Sequence, residues 1–136
     1  MTDIELVAKK LAFIETCVRE LQTMAQPRLL ATDIREQRFV EHTLQLAVQA
    51  TLDIAAHIVS DNRLGEPATN HELFDLLCRA GWIADPQRQV LRKMTGFRNL
   101  IVHGYLDVDV AIVRSVVEHH LTDLLDFVTA VRAKLP

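Results

Sequence analysis

Eight consecutive residues, Arg98-Asn99-Leu100-Ile101-Val102-His103-Gly104-Tyr105, set a guanidinium, a carboxamide, an imidazole and a phenol around the apolar run Leu100, Ile101 and Val102. A guanidinium grips phosphate oxygens bidentately, and an imidazole, with an unperturbed pKa of about 6.5, accepts and returns protons near neutrality. Together they are the minimum equipment for cutting RNA without a metal. In that chemistry the substrate's own 2′-hydroxyl attacks the adjacent phosphorus. The protein needs only to accept that proton, stabilise charge on the phosphate oxygens and help the 5′-oxygen leave. Arg98 suits the charge, His103 the proton transfer, and Asn99 an amide hydrogen bond to phosphate or imidazole. Each also has a purely structural reading: a solvated arginine, an interhelical histidine, a residue that weakens the helix toward its end.

The spacing constrains how these groups meet. Five residues on an ideal helix turn through about 140° beyond a full turn, so Arg98 and His103 do not stack on one face. Either the helix unwinds before Gly104 and turns His103 inward, or a second copy across a two-fold axis brings the two residue types into one groove.

Five amphipathic stretches must position this run. The first carries Ile4, Val7, Leu11, Ile14, Val18 and Leu21 behind a Thr2-x-x-Glu5 capping box, with Glu5/Lys9 and Glu15/Arg19 on its wet side. After a break at Gln26-Pro27, a second begins between Thr32 and Asp33 and runs to about Ser60, burying Val40, Leu44, Ala47, Val48, Ile54 and Ile58. The loop Asp61 to Pro67 ends it. A short third, capped by Thr69 and Glu72, shows Leu73, Leu76 and Leu77 and stops at Gly81. Asp85 as N-cap and Pro86 at the first helical position open the fourth, whose core face is Val90, Leu91, Met94, Phe97 and Ile101, with Gly104 as its C-cap. The last starts near Asp107 and carries Val113, Val117, Leu121, Leu124, Val128 and Val131. The pattern predicts one all-α domain over 1–136, an antiparallel up-and-down four-helix bundle with one additional short helix.

Composition narrows the function classes. Of the 136 residues 49% are hydrophobic and 24% charged, with 4 Gly and 4 Pro, so disorder is excluded. A net charge of -3 argues against coating nucleic acid through bulk positive charge, so an RNA site must be a local basic patch. Arg88, Arg92 and Lys93 precede the motif on the fourth helix and are candidates for that patch. Cys17 and Cys78 form no C-x-x-C and read as inert thiols in a reducing compartment. No run of about 18 apolar residues and no basic-then-apolar leader stands out, which predicts a cytoplasmic protein away from membranes. His42, His119 and His120 lack carboxylate or thiolate partners at ligand spacing, so no metal site is expected.

The chain resembles the HEPN (higher eukaryotes and prokaryotes nucleotide-binding) toxins of prokaryotic HEPN-MNT pairs. Their signature is Arg, a polar residue, a short spacer, His, any residue and Tyr, here Arg98, Asn99, His103 and Tyr105. The likeness extends to Leu44-Gln45-Leu46-Ala47, Asp53-Ile54-Ala55, Gly65-Glu66-Pro67, Phe74-Asp75-Leu76-Leu77, Gly81-Trp82-Ile83 and Val108-Asp109. It implies a homodimeric, metal-independent endoribonuclease needing no cofactor, with Arg98, Asn99 and His103 catalytic and RNA as substrate. It also implies a partner, a minimal nucleotidyltransferase antitoxin (MNT), which uses ATP to place AMP on Tyr105; bulk and negative charge two residues from His103 would then bar RNA phosphate. Asp53, which interrupts the apolar side of the second helix, matches the family pattern and is a candidate either to support the site from behind or to cap a buried contact. The alternative is a noncatalytic HEPN module that binds nucleotide or serves the nucleotidyltransferase.

Overall fold

The computed structural model describes residues 3–103 and 109–136, with His103 as backbone only. Its elements are α1 (Ile4–Met24), a 3-10 turn (Pro27–Leu29), α2 (Ile34–Asp61), α3 (Asn70–Arg79), α4 (Asp85–His103), α5 (Val110–His119) and α6 (Leu121–Lys134). Among the described residues there is no strand.

Local chemistry sets most of these ends. Asp33 caps α2, accepting from Arg35 N (2.9 Å) and Glu36 N (3.4 Å), as its position before the apolar stripe predicts. Gly81 adopts φ +83 after α3, where Gly81 N donates to Cys78 O (3.0 Å) and Trp82 N to Leu77 O (2.9 Å), a Schellman ending that needs the left-handed backbone. Other caps differ from expectation. Asp3, whose carboxylate accepts from Leu6 N (3.1 Å), caps α1; the expected Thr2 lies outside the described residues. Thr69 makes no side-chain cap bond, and Glu72 instead accepts from Ala68 N (2.6 Å). At α4 the reciprocal bond runs from Ala84 N to Gln87 Oε1 (2.9 Å), so Asp85 is the first helical residue rather than the cap, and its carboxylate takes Arg88 and Gln89. Gly104 lies outside the described residues.

Four long helices form a ring of antiparallel neighbours. Asp3 N donates to His57 Nε2 (3.1 Å) at one end of the α1/α2 pair, and Gln26 N to the Glu36 carboxylate (3.1 Å) at the other. Arg98 of α4 meets Gln49 of α2, and Ile101, further along α4, lines one cleft with His42 and Gln45, earlier on α2. Gln87 reaches Asp126 O of α6 (3.3 Å), and Arg132 near the end of α6 forks onto Glu15 of α1 (2.6 and 2.9 Å). Glu15 therefore serves α6 rather than the expected Arg19. α3 lies against α2 and α4, and the edge-to-face pair Phe74/Phe127 (centroids 6.3 Å apart) joins it to α6. The stripes predicted for α1, α2 and α4 supply Leu11, Ile14, Leu44, Ile54, Ile58 and Leu91, all essentially fully buried. The buried hydroxyls of Thr43, Thr51 and Thr95 donate to the carbonyls of Phe39 (2.7 Å), Ala47 and Leu91 (2.9 Å each), so among the described residues the core strands no hydroxyl.

The expected final helix is two helices. α5 begins at Val110, with Asp109 accepting from Ala111 N (2.9 Å), and the helical path breaks at His120 (φ -124, ψ 5), whose Nδ1 lies 3.0 Å from Asp123 Oδ2. Both pack on α2, but α5 adds the 3-10 turn whereas α6 adds α1 and α4. The apolar spacing runs on unbroken through Val117, Leu121 and Leu124, which is why periodicity does not show the change of direction.

Candidate active site

The signature begins in the last turns of α4, where the helix remains regular to His103. Arg98 turns toward α2: its Nη2 donates to Gln49 Oε1 (2.6 Å) and its Nη1 to the neighbouring Asn99 Oδ1 (3.2 Å). The buried Nε has no hydrogen-bond partner among the described residues. Behind Gln49 the polar contacts continue across the bundle. Gln49 Nε2 donates to Asp53 Oδ1 (2.9 Å), and Lys10 Nζ on α1 lies 3.3 Å from Asp53 Oδ2. Three helices thus contribute to one chain of contacts, Lys10 to Asp53 to Gln49 to Arg98 to Asn99.

Of the residues singled out in the sequence, the structure brings Arg98, Asn99 and Asp53 into one network. Residue 103 stays on the helix, and at 100° per residue its position falls between those of Asn99 and Leu100, about 140° from Arg98. Leu100 on that side is 58% exposed. The proposed unwinding before Gly104 is not seen up to His103; Tyr105 lies outside the described residues. Arg88 and Arg92 are turned elsewhere, toward α3. They share Asp75, Arg88 at 3.0 Å and Arg92 at 2.5 Å, and Arg88 also holds Asp85 (2.8 Å). Lys93 is exposed beside an apolar groove between α4 and α5 that includes Met94, Phe97 and Ile112. Sequence reasoning missed Gln49 and Lys10. The available signal for Gln49 was its place one turn before Asp53 on α2, the spacing at which an amide and a carboxylate bond.

Next to Arg98, a cleft of about 510 Å³ opens between the first half of α2 and Ile101. It is lined by Arg38, Glu41, His42 and Gln45 among others. Burial pushes the Glu41 carboxyl above its ordinary range, and its Oε1 has no hydrogen-bond partner among the described residues. Cys17 is buried and its thiol is pushed up to about 11 by desolvation, so it holds its proton and is inert near neutrality. Among the described residues no three His, Cys, Asp or Glu side chains gather as metal ligands, and no helix is long and apolar enough to cross a membrane.

A bundle with an Arg-Asn-x-x-x-His sequence at the end of its third long helix, α4, defines a class, and comparison with known proteins specifies it. The family model for ribonuclease HepT-like proteins matches residues 11–131. The chain is 33% identical over 131 residues to the mRNA nuclease HepT of Shewanella oneidensis, covering 96% of this chain and 98% of that protein. It is 33% identical over 78 residues to the tRNA nuclease HepT of Aphanizomenon flos-aquae, covering 57% and 53% respectively. Its fold superimposes on a toxin–antitoxin crystallised with AMP-PNP at a TM-score of 0.89 and 32% identity, covering 96% of this chain and 99% of that one. It superimposes at 0.88 and 33% identity on the tri-AMPylated HEPN toxin of Shewanella oneidensis in complex with its MNT antitoxin, covering 98% and 100%. The chain belongs to the HepT-like ribonuclease family, as its signature predicts, and has the fold of the HEPN toxins.

Proposed function

We propose that this chain is the toxin of a HEPN-MNT pair, a metal-independent endoribonuclease whose site is completed by a second copy. Arg98 stabilises charge on the scissile phosphate, Asn99 holds the guanidinium edge or the phosphate, and His103 carries the proton of the 2′-hydroxyl to the leaving 5′-oxygen. Asp53 supports Arg98 from behind. Tyr105 is the acceptor for AMP, transferred from ATP by the antitoxin, and the added phosphate excludes RNA by bulk and repulsion.

The observation that carries this reading is the phase of α4. Arg98 faces inward to Gln49, while position 103 lies on the side of the exposed Leu100, so one chain places the two positions on different sides of the helix. A two-fold axis near Leu100 brings the last turns of α4 from two copies together, so that one groove can draw Arg98 and His103 from both, and it covers an apolar surface. Names carried by relatives, an mRNA nuclease and a toxin with its MNT antitoxin, support the same assignment for this chain.

Purified protein incubated with RNA in EDTA is expected to release fragments with 2′,3′-cyclic phosphate ends. His103→Ala and Arg98→Ala each slow cleavage by about a hundredfold or more while keeping the wild-type melting temperature. In cells, growth arrest by the chain is rescued by an active nucleotidyltransferase, but not when Tyr105→Phe removes the acceptor hydroxyl. RNA left intact at every protein concentration sinks the nuclease reading in favour of a noncatalytic module.

A further inference from the structure

Building on the nuclease reading above, we propose that Gln49 is the positioning residue of the site. Its neutral carboxamide, oriented by Asp53, fixes the Arg98 guanidinium while leaving its positive charge unneutralised for an RNA phosphate.

The direction of each hydrogen bond carries this assignment. A guanidinium only donates and an ionised carboxylate only accepts, so the two cannot be linked through a group of one polarity. A carboxamide has both. Asp53 Oδ1 draws the Gln49 NH2 (2.9 Å), which leaves Oε1 facing Arg98 Nη2 at 2.6 Å. The amide has only one orientation that satisfies both neighbours. Gln49 and Asp53 stand one turn apart on the same helix, and both are half-buried, so this orientation is held by packing as well as by the bonds.

Charge explains why an amide suits the place better than a carboxylate. Asp53 directly on Arg98 would form an ion pair and cancel the charge that has to meet the phosphate. With Gln49 between them, the carboxylate acts as an anchor at one remove. Lys10, 3.3 Å from Asp53, supplies the counterion that the carboxylate would otherwise seek in Arg98. Among the described residues, one of the five guanidinium N–H groups goes to Gln49 and one to Asn99, and the buried Nε–H is enclosed, leaving the two other Nη–H groups for a substrate.

Four variants in RNA cleavage assays test this, each accompanied by thermal melting and by binding of a 2′-O-methylated RNA that cannot be cut. Gln49→Glu, nearly isosteric, converts the Arg98 contact into an ion pair and sets two carboxylates against each other. Cleavage is expected to fall by about ten- to a hundredfold, with weaker binding of the methylated RNA and a lower melting temperature. Adding Asp53→Asn to Gln49→Glu removes the carboxylate clash and lets the new amide donate to Glu, so the melting temperature recovers while cleavage and RNA binding stay low. Gln49→Ala leaves Arg98 unheld and is expected to lose about tenfold in kcat with a smaller change in KM. Arg98→Ala is the reference. If Gln49→Glu with Asp53→Asn regains wild-type cleavage together with stability, or if both single Gln49 variants cleave normally while Arg98→Ala does not, the positioning role is overturned and the nuclease reading stands. Wild-type cleavage by Arg98→Ala overturns the nuclease reading, and the role of Gln49 with it.

Discussion

Two regions of α4 hold arginines in opposite ways. Arg88 and Arg92, in its first half, share the Asp75 carboxylate, with Asp85 as a further anion for Arg88. The Asp85 carboxyl is held below the ordinary carboxylate range by its hydrogen bonds to Arg88 and Gln89. Arg98, in the last turns, touches no carboxylate among the described residues; its contacts there are the amide oxygens of Gln49 and Asn99. The first pair spends its charge tying α4 to α3, and the third arginine keeps its charge. On the proposed nuclease reading, a protein of net charge -3 thus meets RNA at one guanidinium without a broad basic surface.

The widest expected gap between the regions comes from replacing arginine by lysine in each. Lysine keeps the charge but loses the planar fork, so it suits an ion pair better than a two-sided amide cradle. Arg98→Lys is expected to lower RNA cleavage by about tenfold or more, because one ammonium cannot span Gln49, Asn99 and a phosphate together. Arg92→Lys, by contrast, should leave cleavage within about twofold. Single-turnover rates with excess enzyme, free of product release, make the measurement. Equal losses in both would erase the distinction.

Removing the shared anion is the next largest test. Asp75→Ala leaves Arg92 without its carboxylate beside an Arg88 that keeps only Asp85, and the melting temperature is expected to drop by about 3–6 °C, with Asp75→Asn recovering part of it. Cleavage should be unchanged. If Asp75→Ala instead tightened RNA binding, the freed Arg88 and Arg92 would belong on the RNA path, as their place on the motif helix suggests.

The bundle was legible in the sequence because a helix that buries one face must repeat apolar residues at that period, and α1, α2 and α4 do. The break at His120 was not, because α5 and α6 continue one apolar spacing while changing what they pack against. Within the site, Arg98, Asn99 and Asp53 were legible as residue types in a family pattern. Gln49 was not: its role depends on which helix faces Arg98, a tertiary fact. The commitment of Arg88 and Arg92 to Asp75 was equally hidden, since Asp75 is distant in sequence and drew notice only as part of a family pattern. Charged residues on a helix look alike until their partners across the groove are known.

A fourth arginine, on α6, sets the lower bound of the comparison. Arg132 forks onto Glu15, and that hydrogen bonding holds the Glu15 carboxyl below its ordinary range, with coulombic attraction adding to it. A folded pKa below the unfolded value means the stabilisation is present above about 4.3, the ordinary Glu pKa, and is lost as pH falls through the folded value. Both side chains are more than a third exposed (47% and 35%), so solvent screening limits the pair to under about 1 kcal/mol. Glu15→Gln should therefore melt only about 2–4 °C below wild type at pH 7 in low salt, with the two curves converging both below about pH 4 and in high salt. A gap that persisted at acid pH would mean that packing of the α1/α6 seam, not charge, is what Glu15 contributes. The carboxylate-paired arginines would then differ from Arg98 less in electrostatics than their contacts indicate.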